Sequence, residues 1–148
     1  MNEKEITMQL APYLLFDGNC REIMNFYAQS FDGLLEFVTY GECPPDEANR
    51  LKRASGKEDD IIYSAVRNKQ NLLPFLTAAD LPFGSKSPIS NGQITIDCSS
   101  EKEITHLFQL LSQGGKVIQP LTNVFWSART ARIVDKYGVS WFLSYQVD

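Results

Sequence analysis

The segment Phe125-Trp-Ser-Ala-Arg129 places a large flat ring, Trp126, and a fixed cation, Arg129, three residues apart. A guanidinium is always charged and carries a planar fork of donors, so Arg129 can grip a carboxylate or phosphate bidentately. The same arginine serves as well in an internal ion pair, with Asp17 or Asp135 as acidic candidates. Gln93 offers one neutral amide that either meets a ligand or satisfies a buried neighbour. Aromatic residues stand on or beside strand-like runs: Tyr13, Phe16, Tyr40, Phe75, Phe125, Trp126, Trp141 and Phe142. Successive strand residues point to opposite faces, so only some of these rings can share a wall. The rest belong to a core.

Other chemistries find little purchase. The only histidine, His106, falls between Ile104 and Leu107 in a helical pattern, where a solvent-facing position accounts for it. No Ser-His-Asp or Cys-His system is therefore suggested. Gly33, Gly41 and Gly56 are isolated, and Gly114-Gly115 follows a helix instead of opening one. A phosphate-cradling loop for a nucleotide or S-adenosylmethionine is accordingly not expected. Cys20, Cys43 and Cys98 form no CxxC pair and read as small space-filling residues of a reducing compartment.

The elements that must position these residues repeat. At an offset of 81, Asn19 with Glu22 matches Ser100 with Glu103, and both pairs have helix-capping spacing. Behind the caps, Ile23, Phe26, Tyr27 and Ser30 match Ile104, Leu107, Phe108 and Leu111, two i, i+3, i+4, i+7 faces. Gly33 and Gly114 then fall where each helix must stop. Strand-like runs precede the helices at Gln9 to Phe16 and Gln93 to Cys98, and follow them at Leu34 to Tyr40 and Lys116 to Val124. Each half adds two more: Ile61 to Arg67 with Asn71 to Thr77, and Ala128 to Val134 with Val139 to Gln146, the last pair joined by a turn at Asp135 to Gly138. The spacing predicts an α+β chain of two βαβββ repeats, about 9–78 and about 91–146, within one domain spanning 1–148. The halves differ between Gly41 and Asp60, read as a charged loop with one helical turn around Glu47 to Arg53; Ala79 to Ser90 connects them.

Bulk composition sets outer bounds. With 43% hydrophobic and 22% charged residues the chain is globular. A net charge of −4 and scattered Lys and Arg argue against nucleic acid as a partner. No apolar run approaches the roughly 20 residues needed to cross a membrane, and Met1 to Met8 lacks signal-peptide character. A cytoplasmic protein is expected.

The repeat, Pro12-Tyr-Leu-Leu-Phe-Asp-Gly-Asn19 leading into Asn25-Phe-Tyr27, Phe125-Trp-Ser-Ala-Arg129, and Asp135-Lys-Tyr-Gly-Val-Ser-Trp141 together resemble the PhnB-like branch of the vicinal oxygen chelate superfamily. That superfamily includes glyoxalase I, extradiol dioxygenases and bleomycin- or fosfomycin-resistance proteins. The resemblance implies sheets curled around a cleft, and a homodimer. In catalytic members four side chains, two per repeat, hold a divalent metal. The corresponding slots here fall at Pro12, Gln93, Phe142 and near Pro74 or Phe75, of which only Gln93 carries a donor atom. A catalytic zinc site needs about three protein ligands, so no metal and no other cofactor is expected.

These readings combine into one expectation. The chain binds a small organic ligand, without metal, in an aromatic-lined cleft formed by Tyr13, Phe75, Gln93, Trp126, Arg129 and Phe142. Two alternatives remain: an enzyme with an unconventional or metal-independent site, and a structural or partner-binding module.

Overall fold

The chain forms two compact units, Met1–Pro88 and Ile89–Asp148, whose described residues alternate strands with two amphipathic helices. A computed structural model describes residues 9–42, 44, 58–81, 92–126 and 128–146. The helical turn expected around Glu47 to Arg53, Cys43, and most of the connection between the halves lie outside the described residues.

In the first unit the elements run β1 (Tyr13–Phe16), α1 (Cys20–Ser30), β2 (Leu34–Thr39), β3 (Ile61–Arg67) and β4 (Pro74–Asp80). In the second they run β5 (Ile94–Cys98), α2 (Glu101–Ser112), β6 (Lys116–Val124), β7 (Ala128–Val134) and β8 (Ser140–Gln146). The sheets have orders β1-β4-β3-β2 and β5-β8-β7-β6. In each, the first strand pairs parallel with the last and the other pairings are antiparallel. The expected βαβββ repeat is therefore present twice.

Each helix lies on one face of its own sheet. On α1 the buried stripe is Cys20, Ile23, Met24, Tyr27 and Ala28, so Phe26 and Ser30 lie to its side. On α2 it is Ile104, Leu107 and Leu111. Cross-strand partners share a face, which places Ser64 and Ala78 beneath α1, and Ala131, Leu143, Ile133 and Trp141 beneath α2. Among the described residues, no helix of the same unit lies on the opposite face of either sheet.

Local chemistry explains where the elements start and stop. The α2 cap is as expected: Ser100 Oγ accepts from Glu103 N at 3.0 Å, and Glu103 Oε1 accepts from Ser99 N at 3.0 Å. The α1 cap is not. Asn19 makes no side-chain capping bond; instead Asp80, reaching over from β4, accepts from Cys20 N at 2.9 Å and from Ile61 N at 2.8 Å. At the helix ends, Asp32 rather than Gly33 takes the left-handed conformation, φ 52°, and Gly33 N returns to Ala28 O at 2.9 Å. Gly33 is required by space: a Cβ there would sit 2.3 Å from Val66 Cγ1. Its structural counterpart is Gly115, directly before β6, because α2 has 12 residues and α1 has 11. The strand expected over Asn71 to Thr77 begins later and runs to Asp80. Asn68 and Asn71 fold the preceding residues into side-chain-capped turns, with Asn68 Oδ1 accepting from Gln70 N at 2.8 Å and Asn71 Oδ1 accepting from Leu73 N at 3.0 Å. Likewise β1 is shorter than the run from Gln9, since pairing with β4 starts at Tyr13.

Candidate functional site

The hairpin of β7 and β8 decides which side chains of the second unit meet. Asp135 holds its turn, with Oδ1 accepting from Tyr137 N and Val139 N at 2.9 and 3.0 Å. Asp135 Oδ2 accepts from the Trp141 indole at 2.7 Å, and Trp141 is 2% exposed. Trp141 is thus a core residue and no part of a ligand wall; Phe16 and Tyr40 are buried as well.

From that turn the register runs Val134 to Ser140, Ile133 to Trp141, Arg132 to Phe142 and Arg129 to Tyr145. Arg129 shares the parity of Ile133 and Trp141 and lies on the helix side, paired with Glu101 at the start of α2. The ion pair foreseen for it exists, with Glu101 in place of Asp17 or Asp135.

Arg132 lies on the helix-free face. Its guanidinium sits 4.5 Å above the centroid of the Phe142 ring, and its Nη1 donates to Gln93 Oε1 at 3.1 Å. Two of the residues singled out in the sequence, Gln93 and Phe142, are brought together by an arginine that was not. The signal was available: in a hairpin turning at Asp135 to Gly138, the residue opposite Phe142 is Arg132. Among the described residues no carboxylate pairs with Arg132. Thr95 lies beside Phe142 on β5, and Gln119 donates to Thr130 Oγ1 at 3.0 Å near the opposite edge. The face is a cation held by a neutral amide and a ring, surrounded by hydroxyls.

The remaining sequence candidates have surroundings of their own. Trp126 and Phe125 are exposed at the β6–β7 turn, packed edge to face with centroids 5.0 Å apart. In the first unit, Tyr13 pairs with Thr77 and is half exposed. Phe75 turns toward the end of α1, its ring 6.2 Å from that of Phe31. The pairing explains this, because Val66 faces Leu76 while Arg67 faces Pro74, leaving Phe75 as the extra residue of a bulge. His106 is exposed on α2.

The residues at the superfamily's metal positions do not fit a divalent cation. Pro12 offers only its carbonyl, which accepts from Thr77 N and Oγ1 at 2.9 and 2.7 Å. Gln93 Oε1 is turned to a guanidinium, and Phe142 lies under that same positive charge. Among the described residues no three of His, Cys, Asp or Glu are grouped to hold a metal. The two described cysteines are buried, and burial pushes the Cys20 thiol up to about 12 and the Cys98 thiol up to about 11. Neither supplies a thiolate near neutral pH.

The model of the 3-demethylubiquinone-9 3-methyltransferase family, which includes PhnB proteins, matches residues 8–144. The chain belongs to this PhnB-like family. It is 31% identical to protein PA1353 from Pseudomonas aeruginosa, covering 96% of this chain and all of that one, with a TM-score of 0.76. A PhnB protein from Bacillus cereus is 28% identical, with coverage of 93% and 99% and a TM-score of 0.71. A glyoxalase/bleomycin resistance protein/dioxygenase family enzyme from Burkholderia phytofirmans PsJN is 12% identical, covers 91% and 97%, and has a TM-score of 0.55. At that identity it shares the fold alone. The PhnB-like chain is thus an α+β protein of the glyoxalase/bleomycin-resistance fold. No helix among its described residues is long and apolar enough to cross a membrane.

Proposed function

We propose that this PhnB-like chain binds a small organic anion without a metal, using the helix-free face of its second sheet. The observation that carries the reading is the Arg132 guanidinium, held between Gln93 and the Phe142 ring with no acidic partner among the described residues. An arginine that already has a carboxylate, as Arg129 has in Glu101, is neutralised. Arg132 keeps most of its five N–H donors for an incoming oxyanion. The ring beneath it fixes the guanidinium plane and offers an apolar shelf for the body of the ligand. Methyl transfer, suggested by the family's description, has less support, because no glycine-rich loop in these residues opens a helix toward a methyl donor.

The test is titration of the full chain with aromatic monocarboxylates in the presence of a chelator, followed by calorimetry or amide chemical shifts. Saturable binding is expected, with Arg132→Gln weakening it by at least about tenfold, the size of a lost charged hydrogen bond. Arg129→Gln should leave affinity unchanged. Binding that survives Arg132→Gln, or that needs a divalent cation, would overturn the proposal.

A further inference from the structure

We infer that the ligand taken by this face is an aminocarboxylate, with its acid at Arg132 and its ammonium group at Asp97. The inference rests on the reading of Arg132 above and adds a second pole. Strand alternation from Gln93 puts Thr95 and Asp97 on the same helix-free face of β5. In the register Thr95 lies opposite Phe142 and Asp97 opposite Ser144. Asp97 is exposed, and among the described residues no cation pairs with it.

Two opposite charges therefore stand on one face, each without a counter-charge among the described residues. The sheet keeps them from pairing. Ser144 is two residues along β8 from Phe142, and β5 is one strand over, which separates Asp97 from the Phe142 position by about 8 Å. The hydroxyl-bearing residues Thr95 and Ser144 lie between. Lys116, opposite Val134 on β6, adds positive charge on the side away from Asp97. The face is thus polarised along one direction, and its charge complement is a short molecule that is anionic at one end and cationic at the other. A ligand with two acids would bring its second charge toward Asp97, and a neutral tail would leave Asp97 unmet.

Two probes that differ in one group test this on the full chain: 4-methylbenzoate and 4-(aminomethyl)benzoate. The amine-bearing probe should bind about fivefold more tightly, as expected for one solvent-exposed ion pair. The advantage should shrink as salt is raised from 0.05 to 0.5 M, about a threefold shortening of the screening length. Asp97→Asn should abolish the preference, with both probes still binding. Equal affinity of the two probes for the natural chain would overturn the aminocarboxylate assignment and leave the Arg132 reading standing, as would a preference that persists in Asp97→Asn. Failure of both probes to bind would overturn the Arg132 reading, and this inference with it.

Discussion

The two units share one strand order and one helix placement, yet they satisfy Arg67 on β3 and Arg132 on β7 differently. In the first, the strand arginine is closed off: Arg67 donates through Nε and Nη2 to Glu36 Oε1, at 3.0 and 2.5 Å, from the neighbouring strand. In the second, Arg132 has a neutral amide and a ring, and no carboxylate among the described residues. The helix starts are reversed as well. The first unit caps α1 with a buried carboxylate from a distant strand, while the second caps α2 with its own exposed side chains. A repeated backbone therefore fixes neither where charge is satisfied nor where it is left for another molecule.

Removing the caps should break the symmetry most. Asp80 is 2% exposed and serves two backbone donors, so Asp80→Ala leaves two buried N–H groups unmet and should cost about 3 kcal/mol. Ser100→Ala removes one exposed acceptor and should cost about 1 kcal/mol. Urea denaturation measures both, and equal losses would show that the two caps are equivalent after all.

The next largest effect concerns the glycines before β2 and β6. A Cβ on Gly115 would lie 2.4 Å from the Val134 carbonyl oxygen and 2.9 Å from backbone atoms of Asp135. A Cβ on Gly33 meets first a side-chain atom, Val66 Cγ1 at 2.3 Å, with backbone no nearer than 3.2 Å. Gly115→Ala is expected to cost about 3 kcal/mol and Gly33→Ala about half that. Thermal unfolding should rank them in this order; the reverse would mean that the Val66 side chain is the more rigid obstacle.

A further effect appears at alkaline pH. Burial raises Cys20 from 9.0 to about 12, with Asp80 adding to the shift and the Ser64 contact opposing it. Burial raises Cys98 to about 11, aided by Glu103 and Asp97. Both folded thiols are harder to ionise than unfolded ones, so their contribution is constant below pH 9.0 and is lost as pH rises toward the folded values. Stability measured between pH 8 and 11 should fall less steeply in Cys20→Ala than in the natural chain. An unchanged slope would mean that Cys20 is better solvated than its burial indicates.

How far these features could be read from the sequence follows from how local their causes are. Ile61–Arg67, Lys116–Val124 and Ala128–Val134 were legible because alternation and adjacent turn residues mark strands directly. Ser100 with Glu103 was legible because a capping box spans four residues. The Asp80 cap was not, since nothing near Asn19 announces a carboxylate on another strand. The direction of Phe75 was not legible, because a bulge reverses alternation at one residue. Arg129 drew attention through its proximity to Trp126, whereas Arg132 required counting back across the hairpin from Phe142.

The Asp80 cap also bears on how the chain is made. Synthesis proceeds from the N-terminus, so α1 emerges long before its capping residue, which lies 60 positions beyond Cys20. The α2 cap is complete within three positions of Ser100. On a growing chain the first helix must therefore wait for a residue not yet added, and the second can close as soon as it appears.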